Sequence, residues 1–150
     1  MAAFVTAGAG FLVAVLWLDL MFDVQVLPYR RGEIPGPVLT SIAGYYRRVT
    51  TAARPMNRLI AAVMVGTLAA IVAQLATGDT PVPVGVASLV LAAGPIGLAA
   101  AHTVPRAVRI GANADPPAAQ SRLARSICRD HLLCLAGIVA LLGLQLAAGS

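Results

Sequence analysis

Four stretches of this sequence are apolar over about the 20 residues that a helix needs to cross a bilayer. They cover residues 4–27, 59–76, 82–104 and 132–148. Only 11% of the residues are charged and the mean hydropathy is +0.83, values far from those of a soluble domain. Because backbone groups in lipid must be satisfied within the spanning segment, we predict an all-α integral membrane protein. It would form one domain over residues 1–150, an antiparallel four-helix bundle.

The first apolar stretch resembles a signal peptide in position but not in pattern. No basic segment precedes it, and its apolar run is longer than the core of a signal peptide. We therefore expect it to stay in the protein as the first spanning helix.

The basic residues are eleven arginines, and they occur in two of the three connections. The connection between spans one and two and the connection between spans three and four carry them all, whereas residues 77–81 carry none. By the positive-inside rule both arginine-rich connections face the cytoplasm and both termini face outward. The sequence therefore predicts a multi-pass protein of the inner or plasma membrane. The pI of 10.2 reports topology and attraction to anionic lipids, and we expect no nucleic-acid partner.

The connection between spans one and two contains a second helical pattern. Its segment VLTSIAGYYRRVTTAARPMNRL has apolar residues at helical spacing, with Pro55 as a joint before span two. This predicts an amphipathic cytoplasmic helix that lies against the membrane surface or caps the bundle. Small residues at steps of four predict close helix contacts within spans two and three, at Ala62, Gly66 and Ala70 and at Ala93, Gly97 and Ala101.

Polar side chains of all four spans fall at one predicted depth, near the cytoplasmic end. A charge within a span costs about 2.5 to 3.5 kcal/mol on insertion scales and usually faces the bundle interior. Asp19 and Asp23 are four residues apart and share a helix face. We expect them to face His102, His131 and at least one arginine around a pocket. The other polar residues of this layer are Asn57, Arg58, Arg106 and Asp130.

Three interpretations of this layer stay open: ion pairs that fix helix register, a pocket for chemistry, and a proton or ion pathway. As a pocket it favours metal-free acid–base catalysis by Asp19, Asp23, His102 and His131. The same four residues are suitable metal ligands, but no pair has a spacing such as HExxH, so no metal or other cofactor is favoured. Arginine would stabilise an anion formed from the substrate. The predicted substrate-binding residues are Tyr45, Tyr46, Asn57, Arg58, Arg106 and Asp130.

Tyr45 and Tyr46 have two interpretations. Their rings would cover the mouth of the pocket as a lid, or they would be ordinary aromatic residues of the membrane interface.

Four short motifs resemble the anthrone-oxygenase-like family of small four-span membrane proteins. They are VLPYRR after span one, RPMNRLI at the start of span two, HTVPRAVRI at the end of span three and ARSICRDHLLCL at the start of span four. The resemblance implies oxidation of anthrones to anthraquinones in aromatic polyketide pathways, without a separate organic cofactor. The matched positions are Asn57, Pro105, Arg106 and His131. Asp19 and Asp23 have no counterpart in these motifs, which leaves open a cyclisation or isomerisation that begins with proton transfer.

The leading hypothesis is a membrane enzyme that acts on a hydrophobic polycyclic or isoprenoid-like substrate arriving from the inner leaflet. One alternative is a non-enzymatic accessory subunit of a larger membrane complex. Another is a small proton-coupled exporter, which needs a carboxylate that reaches both sides of the membrane. The sequence leaves the oligomeric state open, including a homo-oligomer.

Overall fold

The computed structural model describes residues 1–149, with the backbone alone described for Arg54. Its regular structure is helical throughout this range. The helices are α1 (Ala2–Asp23, prolonged by a 3-10 turn at Val24–Val26), α2 (Gly36–Arg47), α3 (Arg54–Thr77), α4 (Val82–Leu98), α5 (Val104–Ala112) and α6 (Pro117–Gly149). π-helical turns at Arg48–Ala52 and Ala99–Thr103 follow α2 and α4.

Four helical segments of the described chain are long and apolar enough to span a bilayer: Ala2–Val26, Pro55–Thr77, Val82–Ala112 and Pro117–Gly149. The predicted all-α four-span class is confirmed. Two predicted spans are too short, because helical structure continues beyond the apolar stretch. The third runs on past the π-helical turn into α5, and the fourth apolar stretch is the second part of a helix that begins at Pro117.

The spanning helices form a closed ring in which α1 and α4 each pack between α3 and α6. Neighbours are antiparallel. Gly137 of α6 lies against Pro95 of α4, and further along α6 the amide of Gln145 bonds to Ser88, earlier in α4. The shared apolar core consists of Val5, Ala9, Leu12, Ile71, Ala92, Ile138 and Leu141.

Close helix contacts occur at glycines other than the predicted ones. Gly66 and Gly97, the centres of the two predicted small-residue stripes, have no neighbouring atom within 4 Å of the position of a Cβ. A Cβ on Gly8 would instead meet Thr67, one on Gly85 would meet Leu75, and one on Gly137 would lie 2.6 Å from Pro95. The predicted stripes are therefore wrong as contact faces. Close contact needs a facing helix, and spacing within one helix does not supply it.

The hairpin between α3 and α4 is closed by a glycine cap. Gly78 has a φ of 71° in the left-handed region, and the amide of Asp79 donates to the carbonyl of Gln74 at 3.1 Å. This is the pattern by which helices commonly end at glycine. It lets α4 begin at once and run back beside α3.

Helix α2 caps one end of the ring and confirms the amphipathic helix predicted between spans one and two. It packs on α5, and its buried face is Leu39, Ile42, Ala43 and Tyr46. The contact is closest at Gly111 of α5, where a Cβ would lie 2.8 Å from the backbone nitrogen of Arg47. The capping helix therefore places its tyrosines beside the end of α1 and the middle of α6.

Candidate functional site

Two carboxylates of α1 lie inside the capped end of the bundle. Asp23 is 0% exposed, whereas the side chain of Asp19, one turn earlier, is 17% exposed. They share one face of α1, as their spacing predicts. A carboxylate that is fully removed from water is costly unless it is paired and hydrogen-bonded, so the neighbours of Asp23 matter most.

His131 of α6 lies between these two carboxylates. Its Nδ1 is 2.6 Å from Oδ2 of Asp23, and its Nε2 is 3.7 Å from Oδ2 of Asp19. The long helix α6 provides this position because its polar first half continues into the apolar second half without a break. The predicted approach of Asp19, Asp23 and His131 is therefore present.

Helix α2 adds two hydroxyl groups to the same place. The hydroxyl of Tyr46 donates to Oδ1 of Asp23 at 2.7 Å, and the hydroxyl of Tyr45 donates to Oδ1 of Asp19 at 2.6 Å. Burial and the neighbouring carboxylates raise the pKa of both tyrosines above its ordinary value. Both phenols therefore stay protonated and act as donors. We call Asp19, Asp23, Tyr45, Tyr46 and His131 the Asp–His–Tyr cluster.

The arrangement of the cluster favours one tautomer of His131. As a carboxylate, Asp23 accepts a hydrogen bond from the N–H group at Nδ1, which leaves Nε2 as the nitrogen that exchanges a proton with a partner. Asp23 has two hydrogen-bonding partners and no contact with solvent, so it orients the ring. Asp19 retains some exposure and stands on the Nε2 side. Such a site can take up, hold and release a proton within an apolar bundle.

Tyr45 also forms part of the wall of a surface groove. The groove has a volume of about 390 Å³ and is lined by Phe22, Thr40, Ser41, Gly44, Tyr45, Arg47, Arg48 and Ala52. The ring of Tyr45 stacks on Phe22 with centroids 4.1 Å apart, while its hydroxyl faces Asp19. Tyr45 is therefore the member of the Asp–His–Tyr cluster that lines the groove, and Tyr46 is buried behind it. We call this depression the Tyr45 groove.

Asp130 belongs to a separate ion cluster, although it precedes His131 in sequence. Its carboxylate is 1% exposed and lies 3.1 Å from Nη1 of Arg106 and 3.3 Å from Nη2 of Arg129. Arg106 also donates to Ser126 at 2.5 Å. This cluster joins α5 to α6. Arg106 and Asp130, both predicted to bind substrate, are thus occupied with each other.

Three predicted residues lie outside the Asp–His–Tyr cluster. His102 and Arg58 are both exposed, and Arg58 lies on α3. Neither side chain makes a hydrogen bond or an ion pair within the described part of the chain. Asn57 donates to the carbonyl of Thr50 at 2.6 Å and so closes the turn before α3. The expectation that His102 faces Asp19 and Asp23 is wrong, because its neighbour Thr103 is the residue that turns inward.

The expected arginine contact with Asp19 and Asp23 is also missing among the described residues, where tyrosines take that place. Within the same residues no three His, Cys, Asp or Glu side chains are grouped so that they could hold a metal ion.

One polar contact at the other end of the bundle escaped the sequence analysis. Gln145 donates to Ser88 at 2.8 Å and accepts from Gln74 at 3.4 Å, and all three are buried. The two glutamines stood out in the sequence as polar residues in apolar spans. Ser88 is a single small residue and does not interrupt the apolar pattern of the third span.

Comparison with known proteins gives no further guidance. The chain matches no protein-family model, no curated protein and no solved structure. The residues of the site are therefore the basis for assigning its function.

Proposed function

We propose that this chain is a membrane-embedded enzyme that moves a proton on a hydrophobic substrate, with His131 as the base. The observation that carries the proposal is the contact of 2.6 Å between His131 Nδ1 and the wholly buried Asp23. Residues that carry charge inside a membrane bundle are usually functional. A buried carboxylate that orients a histidine is a recurring arrangement in acid–base catalysis.

Three members of the Asp–His–Tyr cluster have a direct role in this mechanism. Nε2 of His131 removes a proton from an acidic C–H or O–H bond of the substrate, and Asp23 stabilises the imidazolium that forms. The substrate retains the electron pair as an enolate or phenolate. In this mechanism the hydroxyl of Tyr45, which remains protonated, turns from Asp19 to that anion and donates a hydrogen bond to it. Return of the proton to another atom completes an isomerisation or starts a cyclisation.

The Tyr45 groove supplies a route for such a substrate. It opens where α2 meets α1, with apolar Phe22 on one side and the cationic Arg47 and Arg48 on the other. A polycyclic or isoprenoid-like molecule with an acidic group matches this combination of surfaces. Arg58, expected to hold the anion, is replaced in this role by Tyr45. Where the substrate anion reacts with dioxygen, the outcome is the anthrone oxidation that the family resemblance implies.

We also propose an orientation of the bundle in the membrane. The capped end of the bundle carries the arginines, so it faces the cytoplasm and both termini face the opposite side of an inner or plasma membrane. The substrate then arrives from the cytoplasmic leaflet.

The packing supports an enzyme over a proton-coupled exporter. Transport requires that a carboxylate reach both sides in turn. Ala9, Leu12, Ile71, Ala92 and Ile138 fill the bundle as an apolar core. Asp19 and Asp23 belong to the capped end alone. No contact in the described chain specifically favours an accessory subunit.

Exchange of substrate hydrogen for deuterium tests the proposal directly. Anthrone and a panel of polycyclic phenols and isoprenoid ketones are incubated in D₂O with the protein in lipid nanodiscs, and deuterium uptake is followed by mass spectrometry against a protein-free blank. Catalysed exchange is expected for at least one probe, independently of the final product. Asp23→Asn and His131→Ala should reduce it by at least about 100-fold, the usual lower range for acid–base catalysis.

The second histidine of the chain provides the control. His102→Ala should keep the wild-type rate, because His102 is exposed and lies outside the cluster. Helix content and melting temperature show whether each variant is folded. Loss of exchange in folded His102→Ala but not in folded His131→Ala would contradict the proposal. Absence of exchange with every probe, in a chain that purifies only with a partner protein, would favour the accessory subunit.

A further inference from the structure

The surface between α5 and α6 carries a second groove, on which the proposed enzyme does not depend. It has a volume of about 250 Å³ and is lined by Arg106, Arg109, Ala119, Arg122, Leu123 and Ser126. We call it the arginine groove. Three of its six lining residues are cationic and come from two helices that only the folded bundle brings together.

The acidic residues nearby neutralise this groove only in part. Arg109 binds Asp115 through two contacts of 2.8 Å, and Arg106 lies 3.1 Å from Asp130. Asp130 is already shared with Arg129. Arg122 is exposed and has no hydrogen-bond or ion-pair partner within the described chain. The groove therefore keeps an excess of positive charge, with one guanidinium available to a ligand.

The chemistry of the lining selects a particular kind of anion. Guanidinium groups present paired N–H donors that match the oxygens of phosphate and carboxylate. Ser126 adds a hydroxyl beside Arg106. At about 30 Å³ for each water molecule, the groove has room for a tetrahedral phosphate group rather than for a single small ion.

The surroundings of the groove suit an amphiphile. Ala119 and Leu123, four residues apart on α6, add apolar surface to the lining itself. A chain attached to a bound phosphate would lie against this apolar part of the lining. Basic pockets between spanning helices are known to bind phosphorylated lipid headgroups.

We propose that the arginine groove is a binding site for a phosphate monoester group, borne by a lipid or present as free phosphate. Arg122 contributes the uncommitted guanidinium. Arg106 and Arg109 contribute charge while they remain paired with their carboxylates. Ala119 and Leu123 in the lining favour the lipid as the source. The site is separate from the Tyr45 groove and does not depend on the enzyme activity.

Calorimetric titration of the full chain in a nonionic detergent tests this site. The probes are dioctanoyl phosphatidic acid, dioctanoyl phosphatidylcholine and inorganic phosphate. Phosphatidic acid should bind saturably, and Arg122→Gln should weaken it about tenfold, as expected for loss of one charge-assisted hydrogen bond. Because Arg122 is exposed and unpaired, this variant leaves folding intact.

Arg30→Gln is the matched control, since Arg30 is an exposed arginine that does not line the groove. It should bind phosphatidic acid as the wild type does. If inorganic phosphate displaces phosphatidic acid and depends equally on Arg122, the ligand is free phosphate; if it does not displace, the ligand is a lipid. Equal binding of phosphatidylcholine, or equal weakening by Arg30→Gln and Arg122→Gln, would overturn the proposal.

Discussion

Replacement of Tyr46 by phenylalanine tests how the bundle tolerates a fully buried carboxylate. The change removes only the hydroxyl that donates to Asp23 at 2.7 Å and keeps a ring that is 2% exposed. Asp23 is 0% exposed, so water cannot replace the lost donor, and His131 alone remains as partner. A hydrogen bond to a charged group contributes about 1.5–3 kcal/mol, and we expect a loss of stability of that size.

Tyr45→Phe is the comparison that isolates burial as the cause. It also removes a hydroxyl that donates to a carboxylate, at 2.6 Å, but the side chain of Asp19 is 17% exposed and can recruit water. Its cost should be closer to the about 0.5–1.5 kcal/mol of an ordinary hydrogen bond. Tyr29→Phe should cost nothing measurable, because the hydroxyl of Tyr29 makes no hydrogen bond within the described chain.

Unfolding in mixed micelles that contain a denaturing detergent measures the stability of all three variants under the same conditions. For chains of this size a loss of 1 kcal/mol lowers the melting temperature by about 2–4 °C, so Tyr46→Phe should melt about 3–12 °C below the wild type. The order of cost should be Tyr46→Phe, then Tyr45→Phe, then Tyr29→Phe. If Tyr45→Phe costs as much as Tyr46→Phe, burial of Asp23 does not determine the strength of these contacts.

Two further predictions concern the capped end of the bundle. Gly111→Ala should destabilise the protein by about 1–3 kcal/mol, the usual cost of overpacking, because the added Cβ would lie 2.8 Å from the backbone of Arg47. Gly66→Ala is the control for the same unfolding assay. It should not destabilise the protein, because its Cβ has open space. Arg109 beside Asp115 lowers the pKa of that carboxyl below its ordinary 3.8, so the contact contributes stability above pH 3.8 and loses it as the pH falls through the lowered value. The protection of the amides of residues 113–115 against hydrogen exchange, relative to the intrinsic rate at each pH, should fall in that acidic window in the wild type. In Asp115→Asn it should be low already at pH 7. A wild-type turn whose protection is unaffected by acid would contradict this assignment.

Much of the fold could be predicted because single helices carry their own signal. Apolar length identified the four spans, and the 3.6-residue period identified α2, since each depends on residues that are neighbours in sequence. The extent of α5 was less visible, because a helical segment beyond the apolar stretch is stabilised by packing as well as by its composition. The contacts at Gly8, Gly85 and Gly137 depend on a facing helix and were missed for that reason.

The candidate site likewise has residues that the sequence identifies and contacts that it does not. Asp19 and Asp23 stand out in the sequence because charge is rare in an apolar span, and His131 stands out beside them as one of two histidines. What the sequence leaves open is rotation about each helix axis. His102 and His131 look equivalent by depth, yet one is exposed and the other is buried against Asp23.

The sequence by itself determined that this chain has four helices long and apolar enough to cross a membrane and that the first of them carries two acids, because hydropathy and charge are summed along a local stretch. Only the tertiary structure decided which groups meet those acids. Tyr45 and Tyr46 from the capping helix donate to them, and the arginines lie elsewhere. The physical reason is that a hydrogen bond requires two atoms to lie about 3 Å apart, and the packing of α2 on α1, α5 and α6 sets that distance.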